Sequence, residues 1–123
     1  MQLLLNGGEL DGVRIFEPKT ITRATMESSY HEIELTMGAP VNYSIVFMLG
    51  ARLASVYGLG TQRAFGHSGF INIFVYADPS RDLAVALMTS GKPAFSMGLA
   101  RTLLLMQTIA RRVPRDGRGP LLR

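Results

Sequence analysis

Apolar and polar positions divide the 123-residue chain into an opening of short, punctuated elements and a second half of longer ones. Leu3, Leu4 and Leu5 run straight into Gly7-Gly8, which reads as the closing turn of a helix stopped by glycine, as though it continued from an earlier segment. Glu9 to Ile15 alternates in polarity around Asp11-Gly12 and predicts a hairpin with a two-residue turn. Pro18 pre-sets the first turn of a helix in which Ile21, Ala24 and Thr25 recur at helical spacing, to about Ser28. His31 to Leu35 alternates as an edge strand does. Between Val41 and Leu49 the odd positions are all apolar. That predicts one strand with Val41, Tyr43, Ile45, Phe47 and Leu49 on one face.

A Gly-containing loop follows from Ala51 to Arg63. Ala64–Phe70 and Ile71–Tyr76 then predict two strands, Asp78-Pro79-Ser80-Arg81-Asp82 a tight turn, and Leu83–Met88 a third strand with alternating small residues. Connections this short require antiparallel neighbours. Beyond Gly91-Lys92-Pro93, the residues Phe95, Leu99, Leu103, Met106, Ala110 and Val113 form the apolar stripe of a long helix, with Met97 and Met106 read as core. The fold class is therefore α+β: an antiparallel sheet with a C-terminal helix packed on one face. Residues 1–113 form the domain, and residues 114–123 a flexible basic tail dispensable for folding.

Composition narrows this further. An apolar fraction of 47% suits a packed core and excludes a disordered chain. With no cysteine there is no disulfide or thiol chemistry. With only His31 and His67, no metal site of recognisable spacing and no cofactor are expected. The net charge of +4 is uneven: six of the nine acids precede residue 35, and five arginines fall in the last thirteen residues. Such a run can touch anionic lipid or nucleic acid. No aromatic interleaving or RNA-binding motif accompanies it, so no nucleic-acid partner is expected. The apolar runs are far too short to span a bilayer, and Met1-Gln-Leu-Leu-Leu lacks the regions of a signal peptide.

Candidate chemistry concentrates in Ala64-Phe65-Gly66-His67-Ser68-Gly69-Phe70. Gly66 and Gly69 bracket two polar side chains where other groups can approach the backbone closely. Two readings fit: one wall of a binding cleft, or a strand corner with a hydrogen-bonded histidine.

The order of elements adds to this. A Leu-Leu-Asn-Gly-Gly-Glu-Leu-Asp-Gly segment leads to a Pro-started helix, a strand and a loop. Phe-Gly-His-Ser-Gly, a strand, Ala-Asp-Pro, a strand and a long helix follow. This order resembles the C-terminal third of the serine β-lactamase-like family, which includes class C β-lactamases, penicillin-binding DD-peptidases and esterases. The resemblance covers roughly residues 1 to 113 and implies a fragment of the β-lactamase/transpeptidase-like fold. By it, His67-Ser68-Gly69 matches the family's His-x-Gly element on the strand that walls the cleft. His67 would position or protonate groups at the reacting centre, and Ser68 would offer its hydroxyl to substrate. Gly69 would leave room for the acyl group, and the Phe70 N–H would be an oxyanion donor. Two family elements, Ser-x-x-Lys and Tyr-x-Asn, occur nowhere in the chain. The resemblance thus implies a chain that supplies a wall but no nucleophile. It would act on a small-molecule ester or amide only with an N-terminal segment or partner chain, and would be inactive alone. A non-catalytic binding module, or a pseudoenzyme subunit acting with a partner chain, is the alternative. Uncovered sheet edges are expected to favour self-association.

Overall fold

Glycine and proline set the elements of the opening third. The computed structural model describes residues 1–29, 33–34, 39–69, 73–90 and 97–115. A single helical turn, α1 (Gln2–Leu5), ends at Asn6 and is followed by Gly7 and Gly8. Asp11 (φ 50°) and Gly12 (φ 76°) both adopt the left-handed backbone of a primed turn. They join β1 (Glu9–Leu10) to β2 (Val13–Arg14) in the expected hairpin. Pro18 opens α2 (Pro18–Thr25), which stops three residues before Ser28 because Met26 is already extended. The edge-strand pattern holds at β3 (Ile33–Glu34), paired with β4 (Ala39–Pro40); His31 lies outside the described residues.

The main sheet has five antiparallel strands in sequence order: β5 (Asn42–Tyr43), β6 (Met48–Leu49), β7 (Phe65–Gly69), β8 (Ile73–Asp78) and β9 (Leu83–Leu87). The single strand expected over Val41–Leu49 is instead a hairpin. The chain folds back at Ser44, whose hydroxyl accepts hydrogen bonds from the N–H groups of Val46 (3.2 Å) and Phe47 (2.8 Å), while Ser44 N–H donates to Phe47 O (2.8 Å). A side-chain oxygen that satisfies two backbone donors offers the chain a turn in place of a ladder. Ile45 and Val46, expected within the strand, are left 81% and 58% exposed at the turn.

Cross-strand partners share a face, and the register therefore sorts the side chains. On one face, Met48 opposes Gly66, Ser68 opposes Phe74, and Tyr76 opposes Gly66 and Val85. Met48, Phe74 and Tyr76 join Val41, Tyr57, Ala64 and Met106 in the larger core cluster. The other face carries Phe65, Ala77 and Leu49 under Leu5 of α1, with Phe47 beside Phe65 at 5.4 Å between ring centres. Both faces are thus covered in part: one by a terminal helix as expected, the other by the opening helical turn.

The helix α3 (Met97–Arg112) packs through Thr102, Met106 and Ala110, at i, i+4 and i+8. Met106 and Ala110 of the expected stripe are buried, while Thr102 takes the place expected of Leu103. Leu103 is 39% exposed, and Met97, expected in the core, faces solvent, whereas Met106 is fully buried. The helix rotates to bring Met106 and Ala110 onto the loop before β7, where Ala110 Cβ and Met106 O lie close to Gly58. Phe95 lies outside the described residues. Of the expected tail, Pro114 and Arg115 are described, and the Arg115 guanidinium lies over Gly60.

Arg81 joins these parts. It is 7% exposed and ion-paired with Asp78, which is fully buried and also accepts the Ser80 N–H (2.9 Å). The remaining guanidinium hydrogens go to Ala110 O (3.0 Å), Val113 O (3.1 Å) and Gly60 O (3.2 Å). One side chain thereby satisfies the β8–β9 turn, the exposed carbonyls at the end of α3, and the loop before β7. Tyr57 belongs to the same assembly. It stacks on Tyr76 at 4.7 Å and donates to Met48 O (3.2 Å).

Two expectations follow. Arg81→Met should cost about 3–5 kcal/mol, because it strands the Asp78 carboxylate in the interior. Urea denaturation measures this, and Asp78→Asn combined with Arg81→Met should recover part of the loss. The second concerns alkaline pH. Burial pushes the Tyr76 phenol up to about 12, with the Asp78 charge adding to the rise, and burial raises Tyr57 as well. In the unfolded chain the same phenols lose their protons near 10.0. Their contribution is therefore complete below pH 10 and falls as pH climbs toward 12. Melting temperature should drop across that window, and less steeply in Tyr57→Phe.

Candidate functional site

The strand β7 is paired on both sides only at its start. On one side, β6 reaches Phe65 and Gly66 and no further; on the other, β8 runs the full length to Gly69. Continuing the β6 register would set Phe47, Val46 and Ile45 opposite His67, Ser68 and Gly69. The turn at Ser44 removes them. From His67 onward β7 therefore presents an open edge among the described residues. The Gly50 N–H bonded to Ala64 O (2.8 Å) fixes which groups face this edge. By antiparallel alternation, the main-chain groups of Ala64, Gly66 and Ser68 point toward the β6 side.

The two bracketing glycines have different physical causes. A Cβ on Gly66 would lie 2.2 Å from Val75 O and 2.5 Å from Tyr76 Cα, inside the backbone of β8. Gly66 is demanded by strand packing. A Cβ on Gly69 would meet Ile73 Cβ at 3.6 Å, an ordinary contact, and Gly69 does not have left-handed backbone. Among the described residues, nothing around Gly69 requires glycine. Its lack of a side chain leaves the open edge of β7 bare.

His67 is exposed and lies on the α1 face, opposite Val75. Its Nδ1 is 2.8 Å from the carbonyl oxygen of Ser68. A carbonyl only accepts, so Nδ1 carries the hydrogen and Nε2 of the neutral ring is left as an acceptor. Ser68 lies on the other face, half-buried, its hydroxyl on the Met48 sulfur at 3.3 Å. Thioether sulfur is a weak acceptor, so this contact holds the hydroxyl only loosely. The two side chains thus diverge, and His67 is not placed to take the Ser68 proton. The structure brings His67, Ser68 and Gly69 together along one edge; Phe70 lies outside the described residues. The partner of Ser68, Met48, was not singled out by sequence. Only the register, Met48 opposite Gly66, shows the two strands adjacent there.

No protein-family model matches the chain. Over 89 residues, 72% of its length, the chain is 27% identical to proteins of Salmonella paratyphi B and Salmonella newport that carry the name "Putative D-alanyl-D-alanine carboxypeptidase". Its fold is similar to the crystal structure of a family VIII carboxylesterase, with a TM-score of 0.65 and 27% identity over 88% of the chain. Both are serine β-lactamase-like proteins, and the chain is similar to that group in sequence and in fold. It spans 19% of the length of those curated relatives and 29% of the carboxylesterase chain.

The contrast between the glycines is measurable. Gly66→Ala should destabilise by more than about 2 kcal/mol through overlap with β8. Gly69→Ala should stay within about 0.5 kcal/mol of the parent, as a substitution at an uncrowded surface position does. Equal losses in chemical denaturation would make Gly69 a packing residue and remove the reason to assign it to a site.

Proposed function

We propose that the chain forms one wall of the acyl-transfer site of a β-lactamase-type serine hydrolase, acting on a small ester or amide, with the nucleophile supplied by another segment or chain. The observation that carries this reading is the edge of β7 at Ser68–Gly69, bare among the described residues, none of which requires a glycine there.

An extended substrate would lie along that edge as an added strand, because unpaired main-chain groups are what an edge offers. Gly69 would leave the space its acyl group needs. By the family resemblance, the Phe70 N–H would donate to the oxyanion that develops when serine adds to the carbonyl; such a donor is worth roughly 3–4 kcal/mol in the transition state. His67, with Nδ1–H tied to Ser68 O, would present Nε2 to the reacting groups as acceptor, or as donor once protonated. Because the Ser68 carbonyl is already engaged by the ring, substrate contact at that carbonyl would require His67 to move. The Ser68 hydroxyl could leave the Met48 sulfur at little cost to meet substrate. With no Ser-x-x-Lys or Tyr-x-Asn in its sequence, the chain would carry no activity of its own. The alternative, a non-catalytic subunit or binding module that uses the same edge, shares every feature except turnover.

A chimera separates the two. The C-terminal portion of the family VIII carboxylesterase is replaced by this chain, and hydrolysis of a chromogenic ester is followed alongside labelling by a serine-directed phosphonate. The isolated chain should keep its mass. The chimera should take one phosphonate on the carboxylesterase serine and turn over ester, with kcat lowered by about 10²–10⁴ in His67→Ala and abolished in Gly69→Val. Phosphonate labelling without turnover would favour the non-catalytic reading. An adduct on Ser68 of the isolated chain would overturn both.

A further inference from the structure

The C-terminal arginines have no part in the proposed site, and the structure gathers some of them with others from the loop before β7. Gly60 is the meeting point. Its N–H donates to Arg52 O (3.0 Å), its carbonyl accepts from Arg81, and the Arg115 guanidinium lies directly over it. Arg81 also holds Ala110 O and Val113 O, which brings Arg111 and Arg112 to the same end of the molecule. The Thr61 N–H donates to Ala51 O (3.0 Å), which fixes Arg63 next to this loop pair. Arg52, Arg63, Arg111, Arg112 and Arg115 are all exposed, and among the described residues none forms an ion pair. Among the described residues the exposed carboxylate adjacent in sequence is Asp82, beside Arg81. Five exposed guanidinium groups, none ion-paired among the described residues, make this a strongly positive patch.

Two apolar side chains stand within it. Leu53, next to Arg52, is 80% exposed, and Leu59, next to Gly60, is 46% exposed. Leu59 is held firmly, its N–H donating to Gln107 Oε1 of α3 (2.9 Å). Bare leucines among unpaired arginines are a poor surface for water alone. They suit an anionic lipid layer, where each arginine meets headgroup charge and the leucines enter the acyl boundary. A nucleic acid would be served instead by exposed rings for base stacking, and among the described residues the patch has none, since Tyr57 is fully buried. No described helix is long and apolar enough to cross a membrane.

The geometry points to a second functional surface: the arginine cluster around Gly60, with Leu53 and Leu59 set in it, docks the chain on an anionic lipid headgroup layer. The patch lies at the Ala64 end of β7, and Gly69 lies at the other end, roughly 15 Å away at 3.3 Å per strand residue. Docking therefore leaves the open edge clear.

Sedimentation of the full chain with vesicles tests this. Phosphatidylcholine vesicles are compared with vesicles that also contain phosphatidylglycerol at about a third of the lipid. The chain should partition onto the anionic vesicles and not the neutral ones, and should be released as salt rises from about 50 to about 200 mM. Arg111→Gln with Arg112→Gln should lower partitioning about fivefold per arginine. Lys19→Gln with Arg23→Gln on α2, which removes the same net charge elsewhere, should lower it much less. Leu53→Ser should weaken binding to the anionic vesicles at about 50 mM salt. Equal losses in the two double variants would overturn the local patch. So would equal binding to neutral vesicles, no vesicle binding, or tighter binding of a duplex or single-stranded oligonucleotide at the same salt. Each substituted side chain is exposed, and circular dichroism of every variant separates a folding defect from a binding one.

Discussion

A buried guanidinium is the constraint on which the molecule depends. Arg81 is nearly without solvent, and a cation there is tolerable only because every face of its fork has a partner. Those partners come from three places far apart in sequence: the β8–β9 turn, the loop before β7, and the last turn of α3. None can shift without leaving a charge or a carbonyl unsatisfied. The placement of α3 follows, since its terminal carbonyls are pinned at Ala110 and Val113, and Met106 one turn earlier is thereby set into the core. The stacking of Tyr57 on Tyr76 follows in turn, because the loop that carries Tyr57 is held at Gly60.

This anchoring lies at one end of the sheet, and the candidate site lies at the other. The closed end is dense, with paired strands, a glycine pressed on neighbouring backbone and two stacked phenols. The open end has a single-sided strand, a surface histidine and a glycine with room to spare. Such a division suits a scaffold that presents an edge: the rigid end fixes the strand, and the free end meets what binds.

Much of this was legible in the chain. Asp11-Gly12, Pro18, Asp78-Pro79 and the alternation through Leu83–Leu87 act locally, and the elements they predict are present. The ordered set of elements also pointed to the relatives that comparison finds. What was not legible involves competition or long range. Over Val41–Leu49 the alternation favoured a strand, but one serine hydroxyl won the local contest for backbone N–H groups. In α3 Met106 and Ala110 were legible as core, but the burial of Thr102 in place of Leu103 follows from how Arg81, an acceptor-seeking residue far away in sequence, holds the helix end. Gly66 and Gly69 looked alike in sequence, and only the distance to β8 tells them apart. Asp78 and Arg81 read as turn residues, because a three-residue spacing carries no sign that both are buried.

The turn at Ser44 has a consequence for how the open edge came to exist. A straight strand through Ile45 would have zipped onto β7 as far as Gly69 and left a closed, inert sheet. The vacancy is thus the footprint of a hydroxyl rather than of any residue that borders it. Its length is counted in the residues the turn withdraws, so shifting the turn by two positions would lengthen or shorten the groove by one strand repeat. Groove dimensions in such a scaffold can therefore diverge through a loop serine while the histidine, the glycine and the core stay as they are.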